Sequence, residues 1–191
     1  MRWLLYILFA LLAVPVYASD WDFGSTSGSN YDDIRYDMMG SIYTAGNSGT
    51  ADSLSVKCYF TGGGGDARFA LYEMSVDGAD STFSLIDTTR RSQHSDTDYV
   101  GAWMKAEWML GGVITSGNEY LVVGTADATG NKYFVYDDAG SPGFDPGSYT
   151  TAWASSWNDT DLSETASHEI AFIVGGVDAS GGGQIILIMG N

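Results

Sequence analysis

SLSVKCYF-TGGGGD-ARFALYEMSV, residues Ser53 to Val76, is the stretch that decides the fold. In its first run Leu54, Val56, Cys58 and Phe60 fall at every second position, with Ser53, Ser55, Lys57 and Tyr59 between them. A strand sends successive side chains to opposite faces, so this one has an apolar face and a wet face. The second run is extended too, and the glycine-rich break between them reads as the turn of a hairpin. An apolar strand face requires a second layer to cover it, which makes the chain an all-β, antiparallel two-sheet β-sandwich.

Upstream, residues 1–18 read MRWLLYILFALLAVPVYA: one positive charge at Arg2, an apolar run from Trp3 to Val16 and small residues at a Val-x-Ala cleavage pattern. That is the layout of a signal peptide. The apolar run is shorter than the roughly 20 residues of a bilayer span, so the mature chain is expected to be released without membrane insertion. The 24 acidic residues outnumber the 8 basic ones, a formal net charge of −16. Such a surface repels nucleic acid and anionic lipid, keeps a secreted protein soluble and offers carboxylates to Ca²⁺. Cys58 is the single cysteine, so no internal disulfide helps to hold the fold. On the apolar face of its strand it reads as a small buried hydrophobe.

Residues 19–32 are polar and Gly/Ser-rich and read as a flexible lead-in, with Trp21 and Phe23 able to dock. A single β-sandwich domain then occupies 33–191. Ile34, Tyr36 and Met38 alternate; Ile42–Ala45 and Thr82–Thr88 read as strands. Tyr99–Leu110 has helix-forming residues, yet Met104, Ala106, Trp108 and Leu110 alternate with Lys105, Glu107 and Met109, and the strand reading prevails. On that reading Trp103 and Trp108 fall on opposite faces, so at most one is core. Val113–Gly124 reads as a short strand, a Ser-Gly-Asn turn and a long strand, with Lys132–Tyr136 following as an antiparallel neighbour. From 137 to 166 periodicity dissolves into glycine, proline, aspartate and aromatics, a long loop of the kind that often carries function. It returns at His168–Val177.

The succession LSVKCYF, glycine loop, ARFALYE, SLIDTT, tryptophan segment, VITSGNEYLVVGT and YFVYDD, from about Ile42 to Val177, resembles the jelly-roll β-sandwich domains of bacterial surface proteins that are similar to carbohydrate-binding modules. The resemblance implies a jelly-roll fold and a role in contact at the cell exterior, with polysaccharide among the implied ligands. It supports the fold more than any one function.

Catalytic signatures are missing from the sequence. His94 and His168 stand in no metal-binding spacing, and His168-Glu169 begins like HExxH but meets Phe172 at the second histidine position. No GxSxG elbow occurs, and Gly62, Gly64 and Ala67 fit GxGxxA only between two strands, with no helix to follow. Paired carboxylates such as Asp137 and Asp138 arise readily among 24 acidic residues. The reading is therefore non-enzymatic, with no cofactor beyond a structural Ca²⁺. Asn158, Asp159, Asp161 and Glu164 offer oxygen ligands at close spacing, either for that ion or as a solvated acidic loop.

Two contact functions remain. Tyr149, Trp153 and Trp157, with Phe144 nearby and Asn158 adjacent, can present flat aromatic faces and a polar group to a glycan, or fold back over the open end of the sandwich. Gln184, Ile185, Ile186, Leu187, Ile188 and Met189 form a continuous apolar strand behind a Gly181–Gly183 hinge. This strand either completes its own sheet or adds to the edge of a neighbouring copy. The expected role is a secreted structural or self-assembling surface subunit that meets other copies of itself or a cell-surface component, with a glycan-binding adhesion domain as the alternative.

Overall fold

The structure, a computed structural model, describes residues 21–35, 37–62, 65–89, 92–94, 99–127, 130–137, 143–148, 152–161, 163–165 and 169–178. Residues 1–18, expected to be a signal peptide, and the apolar stretch 184–189 lie outside these residues. In chain order the strands are β1 (Trp21–Gly24), β2 (Asn30–Asp33), β3 (Asp37–Thr44), β4 (Gly49–Thr61), β5 (Gly65–Asp77), β6 (Asp80–Thr88), β7 (Ser92–His94) and β8 (Tyr99–Glu107). They continue as β9 (Val113–Ile114), β10 (Glu119–Ala126), β11 (Asn131–Asp137), β12 (Gly143–Ser148), β13 (Ser156–Asn158), β14 (Ser163–Thr165), β15 (Glu169–Ile170) and β16 (Phe172–Asp178). These strands form two antiparallel sheets, and the molecule is the two-layer all-β sandwich that the alternation demanded.

Sheet A is built around β4. Along one side of β4 run β8 and then β9; along the other run β11 and then β16. β15 sits against β11, and the N-terminal stretch forms the far row, β1 beside β16 and β2 beside β11. Sheet B has the order β13-β6-β5-β10-β3-β12-β14, with β7 extending the row of β6 along β5.

The apolar faces of both sheets meet in one core. Leu54, Val56, Cys58 and Phe60 from β4 face Ala67, Phe69 and Leu71 from β5, and Phe134, Phe172 and Val174 close the layer. The centre is aromatic: Phe134 stacks on Phe69 at 5.9 Å and meets Phe172 edge-on at 5.2 Å. Gly124 supplies the room, because a Cβ there would come within 2.3 Å of the Phe134 ring. Buried polar groups are paired within the fold: the Tyr43 hydroxyl donates to the Ile170 carbonyl, and the Ile170 N–H donates to Ser41 Oγ at 2.9 Å.

A second apolar cluster lies on the other face of sheet B: Met38, Ala70, Tyr72, Phe83, Leu121, Val123 and Trp157. β10 is therefore buried on both faces from Tyr120 to Ala126, which is why its sequence does not alternate; Thr125, polar in that stretch, donates to the Asp37 carbonyl at 2.8 Å. The two outermost rows of sheet B, β13 and β14, are separated by only residues 159–162. Asn158 and Ser163 can stand at most about 18 Å apart along such a chain, whereas seven flat rows would put the edges about 29 Å apart. The sheet cannot be flat; its ends are drawn together by one short segment, and the second cluster packs against Trp153 and Ala154, just before β13.

Several expectations are corrected. β4 and β5 are both strands, but they are not a hairpin: they lie in different sheets, and the break at 62–64 passes from one layer to the other. The alternation fixes which face is apolar and is the same whether the partner lies beside the strand or across the core. For the same reason β9, β10 and β11 are not neighbours; β10 belongs to sheet B and the other two to sheet A. The true tight hairpin is β5–β6, where Asp77 pairs with Asp80 across a two-residue turn and Gly78 holds φ 69°. The stretch read as a lead-in contains β1 and β2, because Phe23 is buried and the backbone of both strands pairs with sheet A. The stretch 137–166, read as loop, contains β12, β13 and β14, which extend sheet B. Tyr99–Glu107 is a strand, with Trp108 buried and Trp103 exposed, as opposite faces require.

Candidate binding face

The outer, wet face of sheet A carries a run of tyrosines. Tyr59 on β4 is paired directly with Tyr133 on β11, so both side chains leave the same face. Their rings meet nearly edge-on, with centroids 6.1 Å apart. Tyr31 comes from β2, two rows away from β4, yet its ring centroid is 5.6 Å from that of Tyr59. Its hydroxyl reaches to 3.5 Å from where a Cβ on Gly101 of β8 would stand. The side chain of Tyr31 therefore lies across the sheet instead of standing away from it. It is 51% exposed, so much of the ring is open to solvent.

Glycine at position 101 serves this arrangement in two ways. Its φ of 63° is one that side-chain-bearing residues adopt at a cost, and it marks the bulge that puts Ala102 opposite Cys58 but Val100 opposite Tyr59. Val100 is thus turned to the tyrosine face. Trp103, 37% exposed, is paired with Lys57 on the same face. Lys57 Nζ donates to the Gly28 carbonyl at 3.1 Å, pinning the connection between β1 and β2. At the β2 end, Arg35 Nε donates to both carboxylate oxygens of Asp33, at 2.9 and 3.0 Å. That hydrogen bonding holds the Asp33 carboxyl below the usual carboxylate range, against the opposing effect of partial burial. Aromatic faces and an ammonium group thus lie together on one sheet, with Asp33, opposite Tyr133, at its margin, where its partner Arg35 bridges to Ala126 of sheet B.

A second exposed apolar feature lies beyond the end of β8. Met109, Leu110 and Val113 are 52%, 84% and 70% exposed, yet the loop carrying them is tightly held. The buried Asp87 carboxylate accepts from the backbone N–H groups of Thr88 at 2.7 Å, Leu110 at 3.1 Å and Gly111 at 2.8 Å. Met109 N–H donates to the Thr88 carbonyl, Ala51 N–H donates to the Gly112 carbonyl, and the Trp108 indole N–H donates to the Ser53 carbonyl.

The residues singled out from the sequence fall elsewhere. Trp157 is 9% exposed and stacks on Tyr72, with centroids 4.2 Å apart and planes 27° apart. Trp153 is half-buried against the same cluster, and Asn158 is exposed. A glycan platform from both tryptophans would require Trp157 to leave Tyr72. Tyr149 lies outside the described residues. Asp159 accepts from the Ser81 N–H at 3.3 Å and Asp161 from the Asn158 N–H at 2.9 Å, so both carboxylates tie down the 3₁₀ turn Asp159–Asp161. Glu164 is on β14. Among the described residues no group of three or more His, Cys, Asp or Glu side chains is placed to hold a metal ion. Gln184–Met189 lie outside the described residues.

The tyrosine face was missed although part of its signal is in the pattern that gave the fold. Tyr59 and Lys57 alternate with Cys58 and Phe60, and Tyr133 alternates with Phe134. What the pattern lacks is that these strands share a sheet and that Tyr31 reaches across them. No family model, no curated protein and no solved structure matches the chain.

Proposed function

We propose that this chain is a secreted, non-catalytic contact module that holds a neutral polysaccharide across the outer face of sheet A. The observation that carries the reading is Tyr31: a half-exposed ring laid along the sheet, supported edge-on by Tyr59, which rests in turn on Tyr133. An open ring face suits the C–H face of a sugar, and Trp103 supplies a second aromatic surface on the same side. Lys57 and the Asp33–Arg35 pair provide donors and acceptors for hydroxyl groups. A net charge of −16 disfavours polyanionic chains, so the ligand is uncharged.

Affinity electrophoresis in gels cast with neutral β-glucan, mannan or xylan, or with acidic pectin, tests this. At least one neutral polymer should retard the protein and pectin should not. Tyr31→Ala and Trp103→Ala should each abolish the retardation with the circular-dichroism spectrum unchanged. If no neutral polymer retards the protein, or if both variants are retarded as well as the parent, the face is not a glycan site. Self-association is the second reading, favoured by the exposed apolar side chains of Met109, Leu110 and Val113 beyond the end of β8.

A further inference from the structure

We infer that Leu110 and Val113, with Met109 beside them, form the seat on which the apolar stretch Gln184–Met189 of the same chain docks. The three side chains are 84%, 70% and 52% exposed, and the loop that carries them is fixed from both sheets. The Leu110 and Gly111 N–H groups donate to the buried Asp87 carboxylate, Met109 N–H donates to the Thr88 carbonyl, and the Gly112 carbonyl accepts from Ala51 N–H. An apolar surface held in place this way loses little freedom when something covers it. At these exposures it amounts to on the order of 400 Å², the size at which an apolar patch on a monomer marks a contact.

The end of β16 points to the occupant. Val177 is opposite Thr50, and Thr50 is opposite Val113, so these three side chains form one row across sheet A. Ala51 and Ile114, their neighbours along the strands, are buried in the core, which leaves that row on the outer face. The next residue, Asp178, is opposite Gly49, itself opposite Ile114, which puts Ile114 about 10 Å from Asp178 across two strand spacings. Residues 179–183 let Gln184 stand up to about 20 Å from Asp178, so the chain has length to turn back over Thr50. Gly181, Gly182 and Gly183 permit the reversal. Gln184–Met189 then brings five apolar side chains and no charge to an uncharged patch. A second copy fits less well: a stable dimer covers about 800 Å² on each partner, roughly twice this patch, and copies of net charge −16 repel. Thr50 and Tyr59 are nine residues apart on β4, about 30 Å, so the seat is separate from the tyrosine face and independent of the glycan reading.

Amide hydrogen exchange of the full mature chain, followed by NMR, is the first test. The amides of Ile185–Met189 are expected to exchange about tenfold or more slowly than in an isolated peptide of residues 181–191, and Leu110→Ser combined with Val113→Ser should remove that protection. Both side chains are exposed, so the double variant is expected to keep the circular-dichroism spectrum of the parent. Methyl–methyl Overhauser contacts between Leu110 or Val113 and residues 185–188 should appear in uniformly labelled protein and be absent between labelled and unlabelled copies in a mixed sample. Exchange of 185–189 at the peptide's rate, protection that survives the double variant, or contacts that arise only between copies would each overturn the inference.

Discussion

Tyr72 on β5 and Trp157 on β13 lie ring on ring, 4.2 Å between centroids, and the Tyr72 hydroxyl donates to the Ala154 carbonyl at 2.9 Å. The two residues are 85 positions apart, and their contact fastens the segment 152–158 over the outer face of sheet B. Leu85 N–H donates to the Ser155 carbonyl and Trp157 pairs with Phe83, so backbone and side chains hold the same cover. That face is thereby a second core instead of a wet surface, and the open aromatic face of the molecule is the one on sheet A.

Truncating Trp157 should accordingly act as a core deletion. Trp157→Ala is expected to cost about 3 kcal/mol, since it removes the stacked ring and leaves a cavity over Tyr72 and Phe83. Trp103→Ala, on the open face, should cost less than about 1 kcal/mol. Urea denaturation followed by tyrosine fluorescence or circular dichroism separates the two, and equal midpoints for both variants would contradict the placement of Trp157.

How much of this could be read from the chain differs from residue to residue. The alternation from Leu54 to Phe60 fixes a strand and its apolar face because period two is a property of the backbone itself. It says nothing about where the partner lies, so the Thr61–Asp66 break was read as a turn between neighbours although it passes between layers. Opposite faces for Trp103 and Trp108 followed from the same parity and hold. The burial of Trp157 does not follow from local pattern, because the cover exists only once β13 has paired with β6, 74 residues earlier at Trp157 and Phe83. Tyr31 was hidden for a related reason: its strand is four residues long and gains its order from β11.

Gly124 offers a sharper test of the main core. It lies on the strand whose neighbours Val122 and Ala126 face that core, and an added Cβ would meet Phe134 at 2.3 Å and Phe69 at 2.8 Å. Both rings are locked against each other and against Phe172, so they have little freedom to withdraw. Gly124→Ala should destabilise by about 1–3 kcal/mol through overpacking. Gly78→Ala is the comparison: nothing lies within 4 Å of its Cβ position, and the cost there comes from the positive φ alone. Thermal unfolding of the two variants should show the larger loss at position 124.

Asp87 makes a prediction about motion as well as stability. Its carboxylate satisfies three backbone N–H groups, two of them in the loop that exposes Leu110. Asp87→Ala leaves those donors without an acceptor and should cost about 1–3 kcal/mol. Hydrogen exchange should show the local effect: the amides of Leu110 and Gly111 are expected to exchange much faster in the variant, while those of β10 keep their protection relative to global stability. Unchanged exchange at Leu110 and Gly111 would mean that other contacts hold the loop.

Alkaline pH should unfold this protein through its buried tyrosines. Burial raises the pKa of Tyr43, Tyr72 and Tyr120 above the ordinary phenol value, because the phenolate would lose its hydration in the core. A group whose folded pKa lies above its unfolded one keeps the folded state bound to more protons between the two values. Its contribution is intact below about pH 10 and is lost as pH rises from there toward the folded pKa. Each such tyrosine steepens the loss by up to about 1.4 kcal/mol per pH unit. Tyr72→Phe removes one of them. At pH 7 it should cost about 1 kcal/mol, because the Ala154 carbonyl loses its donor. Above pH 10 its stability should fall less steeply than that of the parent, so that the two curves converge. Urea midpoints measured from pH 8 to 11.5 give both slopes, and parallel curves would mean that the Tyr72 hydroxyl ionises as freely in the folded chain as in the unfolded one.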